Sequence, residues 1–474
     1  MALSTTLSSK GYSIPKKNNE EIIEKIKLDL TVSPKVNISL CKDPVQFSLY
    51  LESDKYIYIP RNYGLDVFGI PKKNKLQTGE DAPRLEFIGE LREKQKNIVG
   101  EFIKSANNPL KMGGIISAKC GEGKTVMAVY ISCHFKKKTL FIVHKEFLGN
   151  QVKECLKTFA PTAKVGIIKQ SKVEVDDKDF VIASLQSLAM RDYDESIFKN
   201  FGLVIIDECH HTGAEVFSRA LRKINTPITL GLSATLNRKD GLRKVFEYYL
   251  GKPVIKNNVK DNLDMIVNIY KYYVPDIKYS QVNLLWNGNP NSAKMVSNIC
   301  EYKPRTLMIV DIIKDIIDKE NDRKILILSE RRNHLIDFEK IILENKIATV
   351  GYYVGGMSMK ELKESEDKQV ILATFQMASE GMDIPTLNTL ILASPYTSIE
   401  QSIGRIQRQK PEERKYIPLT IDIWDNFSIF NNKGFTRQQF YKKNKFTVDI
   451  YDNGEKVIEQ DPNKKYVFIE EDDE

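Results

Sequence analysis

At 474 residues the chain is longer than a single hydrophobic core ordinarily serves, so two or three domains are expected, and its net charge of +8 suits a polyanionic partner as well as an ordinary enzyme. No apolar stretch approaches about 18 residues and the first 17 residues have no hydrophobic core, which argues against a membrane-spanning chain or one led by a signal peptide. Six cysteines, at 41, 120, 133, 155, 209 and 300, lack any Cys-x-x-Cys spacing, so reduced thiols in a soluble intracellular protein are expected and a zinc set is not.

Residues 1–80 read as a small accessory domain, mainly β or α+β. Within it 47–51 (FSLYL) and 56–59 (YIYI) alternate as strands do. The second run stops at Pro60-Arg61-Asn62-Tyr63-Gly64. That segment is either a plain turn or a loop whose arginine grips a nucleic-acid backbone while its tyrosine stacks on a base.

Residues 81–255 read as a first α/β lobe. Apolar strands at 115–116, 140–143, 180–183, 203–206 and 229–232 alternate with helix-length stretches. That pattern predicts a parallel sheet with helices on both faces and its ligand at the carboxyl ends of the strands. Residues 118–125 are Ala-Lys-Cys-Gly-Glu-Gly-Lys-Thr, which misses the strict phosphate-loop pattern only at Ala118. Gly121 and Gly123 let backbone N–H groups close around phosphates, with Cys120 and Glu122 in the same cradle. Lys124 reaches the β/γ oxygens and Thr125 holds Mg²⁺. Downstream, Leu203-Val204-Ile205-Ile206 empties into Asp207-Glu208-Cys209-His210. Asp207 is placed to bind Mg²⁺ through water, and Glu208 to orient and deprotonate the attacking water. A phosphate cradle followed by paired carboxylates is the kit for hydrolysing a nucleoside triphosphate.

Residues 256–290, rich in tyrosine and asparagine with Gly288 and Pro290, read as a linker carrying a hairpin. From 291 to 450 the alternation repeats as a second lobe, with strands near 325–328, 370–373, 389–393 and 420–423. In this lobe Gln401-Ser402-Ile403-Gly404-Arg405-Ile406-Gln407-Arg408 sets two arginines three apart, one helical face. A guanidinium forks onto phosphate oxygens, so Arg405 and Arg408 are candidate arginine fingers on the γ-phosphate. Residues 437–446 (RQQFYKKNKF) interleave bases with aromatics; they read as a basic helix face over an apolar groove, with nucleic-acid contact as the alternative. Residues 451–474 form a tail with an acidic end.

Taken in order, these motifs resemble a superfamily 2 helicase over about residues 85–425. The resemblance implies two tandem RecA-like lobes, with ATP and Mg²⁺ in the cleft between them. It makes Gln95, in Leu91-Arg92-Glu93-Lys94-Gln95, the adenine contact. It assigns nucleic-acid contacts to segments 139–151 and 181–188, through His144, Lys145, Ser184 and Gln186. Segment 231–241 supplies the coupling residues Ser233, Ala234 and Thr235, and Arg238 for nucleic acid. Segment 373–385 bridges nucleic acid, through Thr374, and nucleotide, through Gly381 and Asp383; Gln401 is a further coupling residue.

The nearer resemblance is to the XPB/UvsW group and to the poxvirus-type transcript-release helicases of large cytoplasmic DNA viruses. It rests on Cys-Gly-x-Gly-Lys, on His210-His211 and on Arg238-Lys239-Asp240-Gly241; XPB itself carries Arg-Glu-Asp at that last place. The box is not Asp-Glu-Ala-Asp and no Arg-Ala-Asp continuation occurs, which favours DNA over RNA. The resemblance further implies 3′ to 5′ polarity, a polymerase or repair complex as partner, a role in viral transcript release or DNA repair, and a virion or host-cytoplasm location. An RNA helicase, a P-loop packaging ATPase and a catalytically silent nucleic-acid clamp remain as alternatives.

Overall fold

The computed structural model describes residues 3–34, 46–118, 121–209, 214–234, 241–255, 264–380, 382, 384–409, 411–452 and 454–457. The chain divides into two compact units, Met1–Asn258 and Val259–Glu474.

In the first unit, seven strands run in the order Lys172–Val173, Val165–Lys169, Phe180–Ser184, Thr139–Val143, Leu203–Ile206, Ile228–Ser233, Gly113–Ser117. All pairings are parallel except that of the outermost short strand. The β-branched runs that mark these strands are buried on both sides because successive side chains leave opposite faces. Leu140 and Ile142 join one core cluster and Phe141 and Val143 the other, and Val204/Ile206 against Leu203/Ile205 divide the same way.

The second unit repeats the arrangement. Ile325–Ser329 lies between Val370–Thr374 and Thr389–Leu392, all parallel, with Leu326/Leu328 and Ile325/Ile327 on opposite faces. The 256–290 stretch is not simply a linker: Ile266–Tyr272 is an interior strand, paired in parallel with Leu419–Asp425 on one side and Thr447–Asp452 on the other. Its alternating, half-polar sequence lacks the continuous apolar run that marked the other strands. The expected tail likewise begins inside structure, since Thr447–Asp452 pairs with Glu455–Val457.

The accessory segment is α+β. Its five short strands form a sheet in the order Leu51–Glu52, Tyr56–Ile59, Gly11–Pro15, Thr6–Ser8, Lys73–Asn74. The expected loop at Arg61 is instead the start of a helix, Arg61–Phe68. Arg61 is 2% exposed and donates to the carbonyls of Thr226, Pro227 and Met112 and to Thr229 Oγ1. Tyr63 is buried with its hydroxyl on Asp29. The backbone-gripping reading is therefore withdrawn: Arg61 bolts the segment to the first sheet, and Tyr63 is tied within the segment. A Cβ on Gly64 would stand 2.3 Å from Tyr12 Cγ, so only glycine fits there.

Candidate nucleotide site and nucleic-acid edge

Three adjacent strands deliver the nucleotide residues to one edge. Gly113–Ser117 feeds the phosphate loop, Ile228–Ser233 ends on the coupling motif beside it, and Leu203–Ile206 ends on Asp207. The Ala118 N–H donates to the Ser233 carbonyl at 3.0 Å, tying loop and coupling motif together. Gly121 and Gly123 have φ of 83° and 77°, a region that favours glycine, and Gly123 caps the helix Lys124–Phe135. A Cβ on Gly123 would meet Gln95 Nε2 at 2.4 Å. The loop is thus closed against the first motif, with the positive end of a helix behind it.

Lys124 is 9% exposed; its ammonium lies 3.1 Å from Glu208 Oε1 and 3.2 Å from the Ala118 carbonyl. Glu208 has φ of 45°, uncommon for a residue with a Cβ, and its Oε2 accepts from the Ala234 N–H at 3.4 Å. Asp207 Oδ1 accepts the Glu208 N–H at 3.0 Å. Burial, with the charge of Glu208 beside it, pushes the Asp207 carboxyl up to about 7 against the pull of Lys124. One lysine is therefore shared by two carboxylates. Asp207 and the Thr125 hydroxyl are hard oxygen donors, and a buried carboxyl held above its usual range is what a divalent cation would relieve, so the residues fit Mg²⁺. Among the described residues no group of three or more His, Cys, Asp or Glu forms a ready-made metal cage. Mg²⁺ usually takes one or two carboxylates and completes its shell with phosphate and water.

Gln95, expected on adenine, has both ends of its amide engaged here. Its Oε1 accepts the Arg92 N–H and its Nε2 donates to the Glu122 carbonyl, both at 2.9 Å. Lys94, which sequence reasoning missed, grips the Glu122 side chain at 2.7 Å. The signal was present as a lysine beside Gln95 and a glutamate inside the glycine loop, but nothing local says that the two meet.

The nucleic-acid candidates of this unit occupy the next two strand ends. His144 and Lys145 follow Thr139–Val143, where Lys145 starts the helix Glu146–Phe159 and burial lowers its ammonium pKa. Ser184 ends Phe180–Ser184 in register with Val143 and caps Leu185–Met190, leaving Gln186 exposed. In the second unit Thr374 ends its strand opposite Ser329. Gln401 lies on the helix Glu400–Arg405. That helix ends at Arg405, so Arg408 stands beyond it and the two arginines do not share a helical face as spacing predicted. Arg405, 7% exposed, donates to the carbonyls of Ala378 and Met382 at 2.7 and 2.6 Å; Arg408 reaches the Met382 carbonyl at 2.8 Å. Both are thus docked on the segment expected to bridge nucleotide and nucleic acid. Cys120, Thr235, Arg238, Gly381 and Asp383 lie outside the described residues. Residues 437–446 are not a nucleic-acid surface at their arginine: Arg437 is 1% exposed and forks onto Asp422.

A phosphate loop, an acidic pair and a coupling segment on one parallel sheet, followed by a second such sheet, define a nucleoside-triphosphate-driven motor of two tandem RecA-like units. Comparison with known proteins agrees. The family model described as type III restriction enzyme, res subunit, matches residues 88–238, and that of the helicase conserved C-terminal domain matches 308–410. A protein of Acanthamoeba polyphaga mimivirus, provisionally named an ATP-dependent RNA helicase, is 38% identical across 95% of this chain and 87% of its own. A provisionally named helicase of Invertebrate iridescent virus 6 is 28% identical across 83% of this chain and 89% of its own. A fragment of a provisionally named HsdR subunit of a type I restriction enzyme from Vibrio vulnificus shares the fold, at TM-score 0.54 and 20% identity, covering 79% of this chain and 72% of that one. The chain belongs to the superfamily 2 helicases, alongside those of large DNA viruses, and is an ATP-dependent enzyme. Among the described residues no helix is long and apolar enough to cross a membrane.

Proposed function

We propose that this helicase is an ATP-driven translocase on DNA, reading phosphate and sugar rather than sequence. The observation that carries the ATP-driven part of this reading is the Lys124–Glu208 contact at 3.1 Å, a phosphate-binding cation parked on the candidate base. The preference for DNA rests on a box, Asp207-Glu208-Cys209-His210, that is not Asp-Glu-Ala-Asp. When a triphosphate enters the cradle of Gly121, Gly123 and the helix N-terminus, Lys124 turns to its β/γ oxygens and frees Glu208 for the attacking water. Thr125 and Asp207 would hold Mg²⁺, which neutralises phosphate charge. Glu208 is also held by the Ala234 N–H, so the coupling segment senses which partner the base has. In this reading Arg408 is the arginine finger on the γ-phosphate, and Arg405 positions the segment on which it rests. His144, Lys145, Ser184 and Gln186 in one unit and Thr374 in the other contact the nucleic-acid strand in this reading.

An RNA substrate is the second reading, favoured by the name of the mimivirus relative. Comparing ATPase stimulation by duplex DNA, single-stranded DNA and RNA of matched length separates the two. Stronger stimulation by RNA would replace the DNA reading; stimulation by none would overturn both.

A further inference from the structure

Two charges in the nucleotide site stand where electrostatics alone would not put them. Glu122 sets a carboxylate between the two left-handed glycines of a loop built to hold phosphates. Lys94 sets an ammonium in the first turn of the helix Glu93–Ala106, where the macrodipole is positive. The two meet: Lys94 Nζ lies 2.7 Å from Glu122 Oε1, and the Glu122 side chain is 16% exposed. Each misfit is answered by the other.

The helix that delivers Lys94 is fixed near both ends. Beside Lys94, Gln95 Nε2 donates to the Glu122 carbonyl at 2.9 Å. At the far end Ser105 Oγ donates at 2.7 Å to the carbonyl of Gly113, the first residue of the strand that feeds the loop. Between these bonds Ile98, Val99 and Phe102 are buried in the cluster that also holds Met127, Ala128 and Ile131 of the helix after the loop. Lys94 therefore stands on a frame that shares a core with the phosphate loop.

We propose that Lys94 is a positioning residue that sets nucleotide affinity: by holding and neutralising Glu122 it lets a triphosphate enter a loop that carries a carboxylate of its own. The proposal rests on the ATP-driven reading above. The pair should govern binding rather than turnover, because the phosphates are negative both before and during transfer, so a charge beside them acts on ground state and transition state alike.

Lys94→Met keeps most of the stem and removes the charge. Stimulated ATPase should then show KM for ATP raised about 5- to 30-fold with kcat within about twofold of parental. The rise should shrink at high salt, where repulsion is screened. Glu122→Gln, which removes the carboxylate and leaves the lysine, should lower KM, and Lys94→Met with Glu122→Gln should return it to within about threefold of parental. Equilibrium binding of ADP should rank the four proteins in the same order. A clasp that only holds the loop in shape behaves otherwise: breaking it from either side raises KM, and the double variant stays impaired. That result, parental KM in Lys94→Met, a fall in its kcat at unchanged KM, or a different ranking with ADP would each overturn the proposal. Any of these with stimulated ATPase in the parental chain leaves the ATP-driven reading standing, whereas absence of stimulated ATPase in the parental chain overturns both.

Discussion

Arg305 and Asp425 in the second unit are both fully buried; the guanidinium donates Nε and Nη2 to the two carboxylate oxygens at 2.7 and 2.9 Å and Nη1 to the Ala393 carbonyl. Tyr279 adds its hydroxyl to the same carboxylate at 2.8 Å. In the first unit the buried Asp207 has no such fork among the described residues, where the charges acting on it are a second carboxylate, Glu208, and Lys124, which also pairs with Glu208. Similar sheets therefore bury carboxylates to opposite ends. Where donors match acceptors, the charge is a strut; where they fall short, the group waits for a ligand to complete it.

The sharpest way to break this contrast is to remove the shared cation. Lys124→Ala should abolish stimulated ATPase, and Glu208→Gln should retain ATP binding while turnover falls by about 10² to 10⁴, the usual contribution of a positioned base. Retained turnover in either variant, measured with saturating nucleic acid, would remove that residue from the chemistry.

The arginines of the second unit come next. Arg408→Ala should lower turnover by about 10³ to 10⁵ with nucleotide affinity nearly unchanged. Arg405→Ala should in addition lower the thermal midpoint, because it leaves the Ala378 carbonyl without its guanidinium, at about 1 to 3 kcal/mol, whereas the Met382 carbonyl keeps Arg408. Equal midpoints for the two variants would erase the distinction drawn between them, and parental turnover in Arg408→Ala would remove the finger.

A strut should behave differently. Arg437→Met strands Asp422 in the core and should cost about 3 to 5 kcal/mol in urea unfolding, whereas Arg437→Met with Asp422→Leu should recover much of that loss. No recovery in the double variant would mean that the pair does more than cancel its own charge.

The smallest effect concerns His334, which is 1% exposed between Thr306 Oγ1 and Ser329 Oγ and is held neutral, its pKa depressed to about 3 by burial and by the charge of Arg305. Below the ordinary histidine value the unfolded chain takes up a proton that the native chain refuses, so stability is full above about pH 6.5 and is lost as pH falls towards 3. Between pH 7 and 5 this residue should cost about 2 kcal/mol, read as the difference in pH dependence between the parental chain and His334→Gln. Identical pH dependence in both would mean that the ring is protonated in place.

What could be read in advance follows from how local each signal is. The strands ending at Ser117, Ile206, Ser233 and Ser329 are short branched runs that need both faces covered wherever they sit, and the glycines and carboxylates after them are spaced by chemistry. Ile266–Tyr272 escaped because its polar alternation describes a hairpin as well as an interior strand. Arg61 and Arg437 were open to misreading for another reason. A buried guanidinium and a solvated one are written alike, and what separates them is an acceptor elsewhere, at Thr226 for one and Asp422 for the other. Lys94 escaped likewise, because it acts through Glu122.

Arg61 also bears on how freely the first 80 residues can be exchanged. Its four acceptors lie where two strands of the first sheet begin, Met112 just before Gly113–Ser117 and Thr226, Pro227 and Thr229 at the start of Ile228–Ser233, and Gly64 is shaped to a ring of the accessory sheet itself. Such a segment is no cassette. Grafted onto the motor of a relative, it would seat only where the recipient presents the carbonyls at 112 and 226–227 and the hydroxyl at 229 in the same arrangement, so the interchangeable part of this molecule is accessory segment and lobe together.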